Sequence, residues 1–285
     1  MAGSQWSRFP YDAKPYAYPG AALKKAWDRL HAGDLEPWPE AAGLAKLAGT
    51  KPGGPVPGFK GDFDDLALRL QDAWRAFHHG DFREACESGA KLGPLGAAVA
   101  NKAAAVYCTY LEDEDRRALH ILAEASARGE EACRKLPKHA NAWYFYAFAL
   151  GRYAQRISVM KALGEGLGGK VKHALETVIK LEPDHADAHI ALGAYHSEII
   201  DKVGALAGRL THGADRATAV KHFEKAIKLN PAAAIAYMEY GNGLLMLDGE
   251  KKKDEAVKLY RKAAACDPAD AMERLDVEQA KAELE

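Results

Sequence analysis

Two short stretches hold the residue types from which chemistry is usually built. In "GEGLGGKV", residues 164–171, Gly164 is followed after four residues by Gly169-Lys170, which matches seven of the eight positions of the phosphate-cradling pattern G-x-x-x-x-G-K-[ST]. Such a loop works when a strand leads into the glycines and a helix starts directly after them, so that backbone N–H groups converge on the phosphates. Here the approach, "GRYAQRISVMKAL", reads as helix, and Val171 replaces the Ser or Thr whose hydroxyl would hold Mg²⁺. No apolar strand ending in Asp offers a second metal contact. The glycines therefore read as a turn between two helices, because glycine tolerates positive φ. The second stretch carries His185, His189 and His196 at i, i+4 and i+11, with Glu198 nearby. The i, i+4 pair has metal-ligand spacing on a helix but lacks the Glu of H-E-x-x-H. His189 and His196 fall where a helix faces its partner, so they read as packed core. No Ser lies in G-x-S-x-G and no Cys has a neighbouring His, so nucleophilic catalysis has no visible centre. The expectation is a non-enzyme with no metal and no cofactor.

Composition narrows the class further. Of 285 residues, 48% are hydrophobic and 28% charged, a folded and water-soluble profile. Basic and acidic side chains number 39 and 40, for a net charge of −1. Neither a basic excess nor a basic stripe exists, which argues against a nucleic-acid partner. Cys86, Cys108, Cys133 and Cys266 are scattered without a C-x-x-C pair, which fits a reducing compartment. With no signal-like start and no run of about 18 apolar residues, the expectation is a cytoplasmic chain without membrane insertion.

The elements that must position these residues are amphipathic helices ending at proline. "AVKHFEKAIKLNP" and "EAVKLYRKAAACDP" space apolar residues by three and four, and proline cannot continue either helix. Such endings recur at Pro137, Pro183, Pro231 and Pro268, spaced by 46, 48 and 37 residues. A second helix follows each of the first three prolines. Aligned on proline, Trp143, His189 and Tyr237 share one position, and Tyr146, Leu192 and Tyr240 share another. Ala147, Gly193 and Gly241 share the small position after that. In the return helices Leu175, Phe223 and Tyr260 align, followed by Val178, Ala226 and Ala263. Alternating large and small positions let two antiparallel helices approach closely.

This pattern resembles the tetratricopeptide repeat, a 34-residue helix-turn-helix unit. The observed spacings exceed 34 by 12, 14 and 3, so units carry insertions between their helices. "LALRLQDAWRAFHHGDFREACESGAKLG" looks like an earlier unit, with Gly80-Asp81-Phe82-Arg83-Glu84-Ala85 at the turn into the return helix, and a divergent unit follows it. The likeness covers roughly residues 62 to 268. The long inserts make it similar to the regulator-of-microtubule-dynamics group, and more distantly to the T-component of TRAP transporters. The resemblance implies an all-α, right-handed superhelical solenoid of antiparallel helix pairs. "ADAMERLDVEQAKAELE" would form its C-terminal capping helix. Residues 1–60 form an arm with one helix, "GAALKKAWDRLHAGD", many aromatics and a Pro/Gly linker, "GTKPGGPVPGFKGD"; residues 61–285 form the repeat domain. Trp6, Phe9, Tyr11, Tyr16, Tyr18 and Trp38 are too many aromatics for a purely disordered tail, so the arm is expected to lie along the solenoid.

First helices line the concave surface of such solenoids, where partners usually bind. The residues expected there are Asn141, Tyr144, Phe148 and Arg152 from one unit. The next supply Asp187, Ile190 and Glu198, then Ile235, Met238 and Asn242. Tyr144, Phe148, Ile190 and Met238 would supply affinity, with Arg152 and Glu198 setting orientation. Some family members clamp a C-terminal carboxylate with Lys and Asn, and only Asn242 matches such a position, so chaperone-tail binding is not supported. The expected function is a scaffold binding a protein or peptide. The alternative is a small-molecule binder whose inter-helix inserts close a pocket. Homo-oligomerisation is left open.

Overall fold

A computed structural model describes residues 6–49 and 62–285. The Pro/Gly linker expected between arm and repeats lies, from 50 to 61, outside the described residues. Among the described residues every regular element is a helix, as expected for an all-α chain. The chain divides into two compact units. The first comprises Met1–Trp27 and Glu36–Ala162, the second Asp28–Leu35 and Leu163–Glu285.

The arm carries helix α1 (Ala22–Leu30), whose residues up to Trp27 fall in the first unit and the rest in the second, and α2 (Ala41–Leu47) of the first unit. Two helix pairs follow, α3 (Phe63–His79) with α4 (Phe82–Ala90) and α5 (Ala97–Tyr110) with α6 (Asp115–Lys135), and then α7 (Ala140–Arg156). The α3–α4 turn forms as the sequence implies. Gly80 takes φ +95°, and the Gly80 and Asp81 amides donate to Phe77 and Ala76 carbonyls, a left-handed helix cap that glycine adopts freely. Helix α5 is buried almost all round, because alanine-rich sequence lets α3, α4, α6 and α7 close on it. His78, at the end of α3, is fully buried and stacks on Trp74, so it packs rather than sitting as a solvated charge at the helix end.

In the second unit the helices run α9 (Leu167–Leu181), α10 (Ala186–Val203), α12 (Arg216–Leu229), α13 (Ala234–Asp248), α14 (Lys253–Ala264) and α15 (Ala271–Ala282). The two long insertions are helical as well: α11 (Ala205–His212) in this unit, and α8 (Val159–Gly164), whose residues up to Ala162 belong to the first. The phosphate-loop look-alike is helical too: Gly166 turns the chain at φ +64°, and Gly169 and Lys170 lie inside α9. Large and small positions interlock as the alignment implies. Gly193 faces the Phe223 ring and Gly241 faces the Tyr260 ring. The end of the chain is the expected cap: Val277 and Ala280 of α15 close the apolar cluster of Ala234, Met238 and Ala263. No helix among the described residues is long and apolar enough to cross a membrane.

Candidate functional site

Helix α7 starts three residues after Pro137 and carries Asn141, Tyr144, Phe148 and Arg152 at i, i+3, i+7 and i+11, which is one helical face. The face grades from sealed to open. Asn141 is buried, and its Nδ2 donates to Oε2 of Glu36 from the arm at 2.6 Å. Tyr144, also buried, stacks on Phe148 with ring centroids 6.2 Å apart and planes 16° from parallel. The Arg152 guanidinium lies 5.4 Å over the Phe148 ring, and its Nη1 donates to Gln155 Oε1 at 3.0 Å. Phe148 and Arg152 are half-buried, so the face is more exposed away from Glu36 than at it. A Tyr–Phe–Arg stack of this kind is pre-organised contact area with a fixed positive charge.

At the sealed end His139 is the residue before α7. It is 9% exposed, its Nε2 lies 3.6 Å from Glu36 Oε2, and neither ring nitrogen makes a hydrogen bond. The Glu36 carbonyl accepts from Trp27 Nε1 at 2.7 Å, and Trp27 meets Trp38 edge-on at 4.9 Å. Behind α7, the Lys102 ammonium of α5 sits 5.1 to 5.7 Å from the rings of Phe77, Phe145 and Trp74. A lysine buried this deeply is stabilised by the negative ring faces around it.

In the second unit the expected residues are placed differently. The Asp187 amide donates to the Gly33 carbonyl at 3.1 Å, and its carboxylate closes on Gly33 so that a Cβ there would have to displace it. Ile190, 6% exposed, packs with Ala226, Ala233 and Ala236, flanked by Ile235 and Ile227. Met238, 5% exposed, lies beneath the capping helix. Both are packing residues rather than open contact surface. Asn242 Oδ1 accepts from Tyr260 Oη at 2.7 Å, an internal bond, and Glu198 is half-buried. The α11 insert leaves Leu206 and Leu210 at 75% and 77% exposed, so these leucines close no pocket.

The histidine face gains a member that sequence reasoning missed. His222 of α12 brings its Nδ1 within 2.7 Å of His189 Nδ1, while His189 Nε2 faces the Pro183 carbonyl at 3.0 Å. His189 therefore donates through Nε2 and accepts at Nδ1, and His222 donates. His196 Nδ1 accepts from the Asp215 amide at 3.1 Å. Burial keeps all three rings neutral: desolvation pushes His189 and His196 down, and desolvation with the two neighbouring imidazoles pushes His222 down to about 4. Their nitrogens hold the fold together. Among the described residues no group of three or more His, Cys, Asp or Glu is placed to hold a metal. The four thiols are free, and burial raises Cys108 and Cys133 to about 12, far from a reactive thiolate.

The family model described as "Regulator of microtubule dynamics protein 1-3" matches residues 96–285. The match takes in α5 to α15 and leaves out the arm and the first helix pair. Among solved structures, two crystal structures of MamA each share 19% identity with the chain at a TM-score of 0.38. They cover 74% and 76% of this chain and 96% and 94% of their own. No curated protein matches the sequence.

Proposed function

The chain belongs to the regulator-of-microtubule-dynamics family, and from that premise we propose that it is a non-catalytic helical-repeat scaffold that binds a protein partner through the face of α7. The observation that supports this most is the Tyr144–Phe148–Arg152 stack. Its aromatic anchor is already immobilised, so little conformational entropy is lost on binding, and Arg and aromatic residues are the types that dominate interface energetics. Asn141 and Asp187 contribute through the arm they hold. Ile190, Ile235, Met238 and Asn242 contribute by fixing the helices of the second unit. Glu198 supplies a half-buried charge on α10. The family's description makes a cytoskeletal protein the first class of partner to test.

Affinity capture from cell extract with the intact protein, compared with a Phe148→Ala/Arg152→Ala variant, tests the reading. A protein retained by the first should be depleted about tenfold with the second, the consequence of losing roughly 1.4 kcal/mol at an interface. Equal retention by both proteins overturns the α7 face as the docking surface.

A further inference from the structure

The sealed end of α7 is filled by residues of the same chain, and the filling is incomplete. We propose that arm residues 36–39 are a resident, displaceable ligand of α7, and that the partner this end accepts is an extended peptide bearing a carboxylate between proline and aromatic residues. The inference rests on the reading of α7 as a partner-binding face and names the chemistry of what it takes.

Several observations in the first unit converge. Side chains of α3 in the same unit reach the arm's backbone carbonyls, as they would a foreign peptide's. Gln71 Nε2 of α3 donates to the Pro39 carbonyl at 2.8 Å, and Arg75 Nε of the same helix donates to the Tyr18 carbonyl at 3.1 Å. Contacts of that kind read chain direction and extension, not sequence. Pro37 and Pro39 keep the segment in the extended form that such a groove recognises at low entropic cost. The Glu36 carboxylate on Asn141 adds specificity, from a position 105 residues away in the chain.

His139 shows that this carboxylate is not the best occupant. Its imidazole is nine-tenths buried beside Glu36, yet at 3.6 Å the nearer nitrogen falls short of a hydrogen bond, and the other has no partner. An unsatisfied buried polar group carries the full cost of its desolvation. A carboxylate set slightly deeper than Glu36 would bond Asn141 and His139 together, and so would outcompete the tethered segment.

The test uses the full chain and a fluorescein-labelled peptide of residues 27–40, read by fluorescence anisotropy. The peptide should bind the Glu36→Gln chain about tenfold more tightly than the wild type, because the resident carboxylate no longer competes. A peptide carrying the same Gln should lose that gain. Equal binding to both chains, or binding to neither, overturns the proposal. Hydrogen exchange on the wild-type chain, which needs no variant to fold, gives a second readout. Saturating peptide should speed exchange of the Trp27 indole N–H, whose bond to the Glu36 carbonyl is lost when residues 36–39 leave, and unchanged exchange there during binding overturns displacement. A Glu36→Gln chain that dimerises without taking up peptide would assign the vacated end to a second copy's arm and overturn the foreign-peptide reading. None of these readouts involves Phe148 or Arg152, so their failure is distinguishable from failure of the α7 face itself.

Discussion

At the scale of single residues the histidine face carries the clearest consequence. In the fold, burial holds His189, His196 and His222 below the ordinary imidazole value of about 6.5, to which they return once unfolded. The unfolded chain therefore binds more protons between pH 6.5 and the folded values, which reach about 4 at His222. Their contribution to stability is complete above about pH 6.5 and is lost as pH falls through that window. Lys172 and Lys225 add to the cost of a second positive charge, whereas Asp184, Asp215 and Glu176 offset it. The Tm should fall by several degrees from pH 7 to pH 5, and His222→Asn, which keeps a donor towards His189 but does not titrate, should make that slope shallower. Differential scanning calorimetry across the range checks this; an unchanged slope would show that His222 is already charged when folded. Part of the face is legible in the sequence. The proline alignment puts Trp143, His189 and Tyr237 at one position, and each donates to the carbonyl of its own proline at 3.0 Å. Three residues with little else in common share a donor that reaches back six positions, so chemistry, not shape, defines the site. His222 is not legible, because it contacts His189 across 33 residues and no local spacing announces it.

At the scale of elements, the small positions decide how closely helices pack. A Cβ on Gly193 would sit 2.7 Å from the Phe223 ring, so Gly193→Ala forces α10 and α12 apart or turns the ring off its rotamer. Overpacking of this kind costs about 1–3 kcal/mol. A Cβ on Gly151, in α7, would have no atom within 4 Å of it, so Gly151→Ala meets nothing and should stabilise by roughly 0.5–1 kcal/mol through helix propensity. Urea unfolding of the two variants should move the midpoint in opposite directions. Movement the same way would mean that the helix pairs are not held by this interlock. The positions are readable in advance because the return-helix residue that fills each gap recurs with the repeat, as Phe223 against Gly193 and Tyr260 against Gly241. What the alignment does not separate is a first-helix residue that faces a partner from one that faces the next helix of its own unit. Met238 has the spacing of a surface position, but Val277 and Ala280 of a helix almost forty residues later cover it.

At the scale of the whole molecule the arm is the element that sequence describes least. Its aromatics declare that it packs, and among the described residues several do. Trp6 stacks on Tyr107 at 4.0 Å, whose hydroxyl donates to Glu112 and accepts from the Ser7 amide, while Tyr16 and Trp27 are buried. Its destination is set by polar contacts across long separations, such as Glu36 to Asn141 and, in the second unit, the bidentate Arg29–Glu273 pair, which no local pattern encodes. Both units incorporate arm residues, 28–35 in one and the flanking stretches in the other. An accessory tail would leave the melting profile unchanged when removed, whereas an arm built into both units should shift all of it. Leu23, Leu30 and Leu44 are buried, and each stands to lose about 1.5–3 kcal/mol on exposure, offset in part by the entropy that a freed arm regains. Deleting residues 1–49 should therefore lower the Tm by about 10 °C or more, with no high-temperature transition surviving in calorimetry. A transition that persists at the wild-type temperature would identify a unit that folds without its arm segment. Displacement at α7 concerns residues 36–39 alone, which lie in sequence between the buried Leu30 and Leu44, so these anchors keep the arm in the fold while Glu36 leaves Asn141.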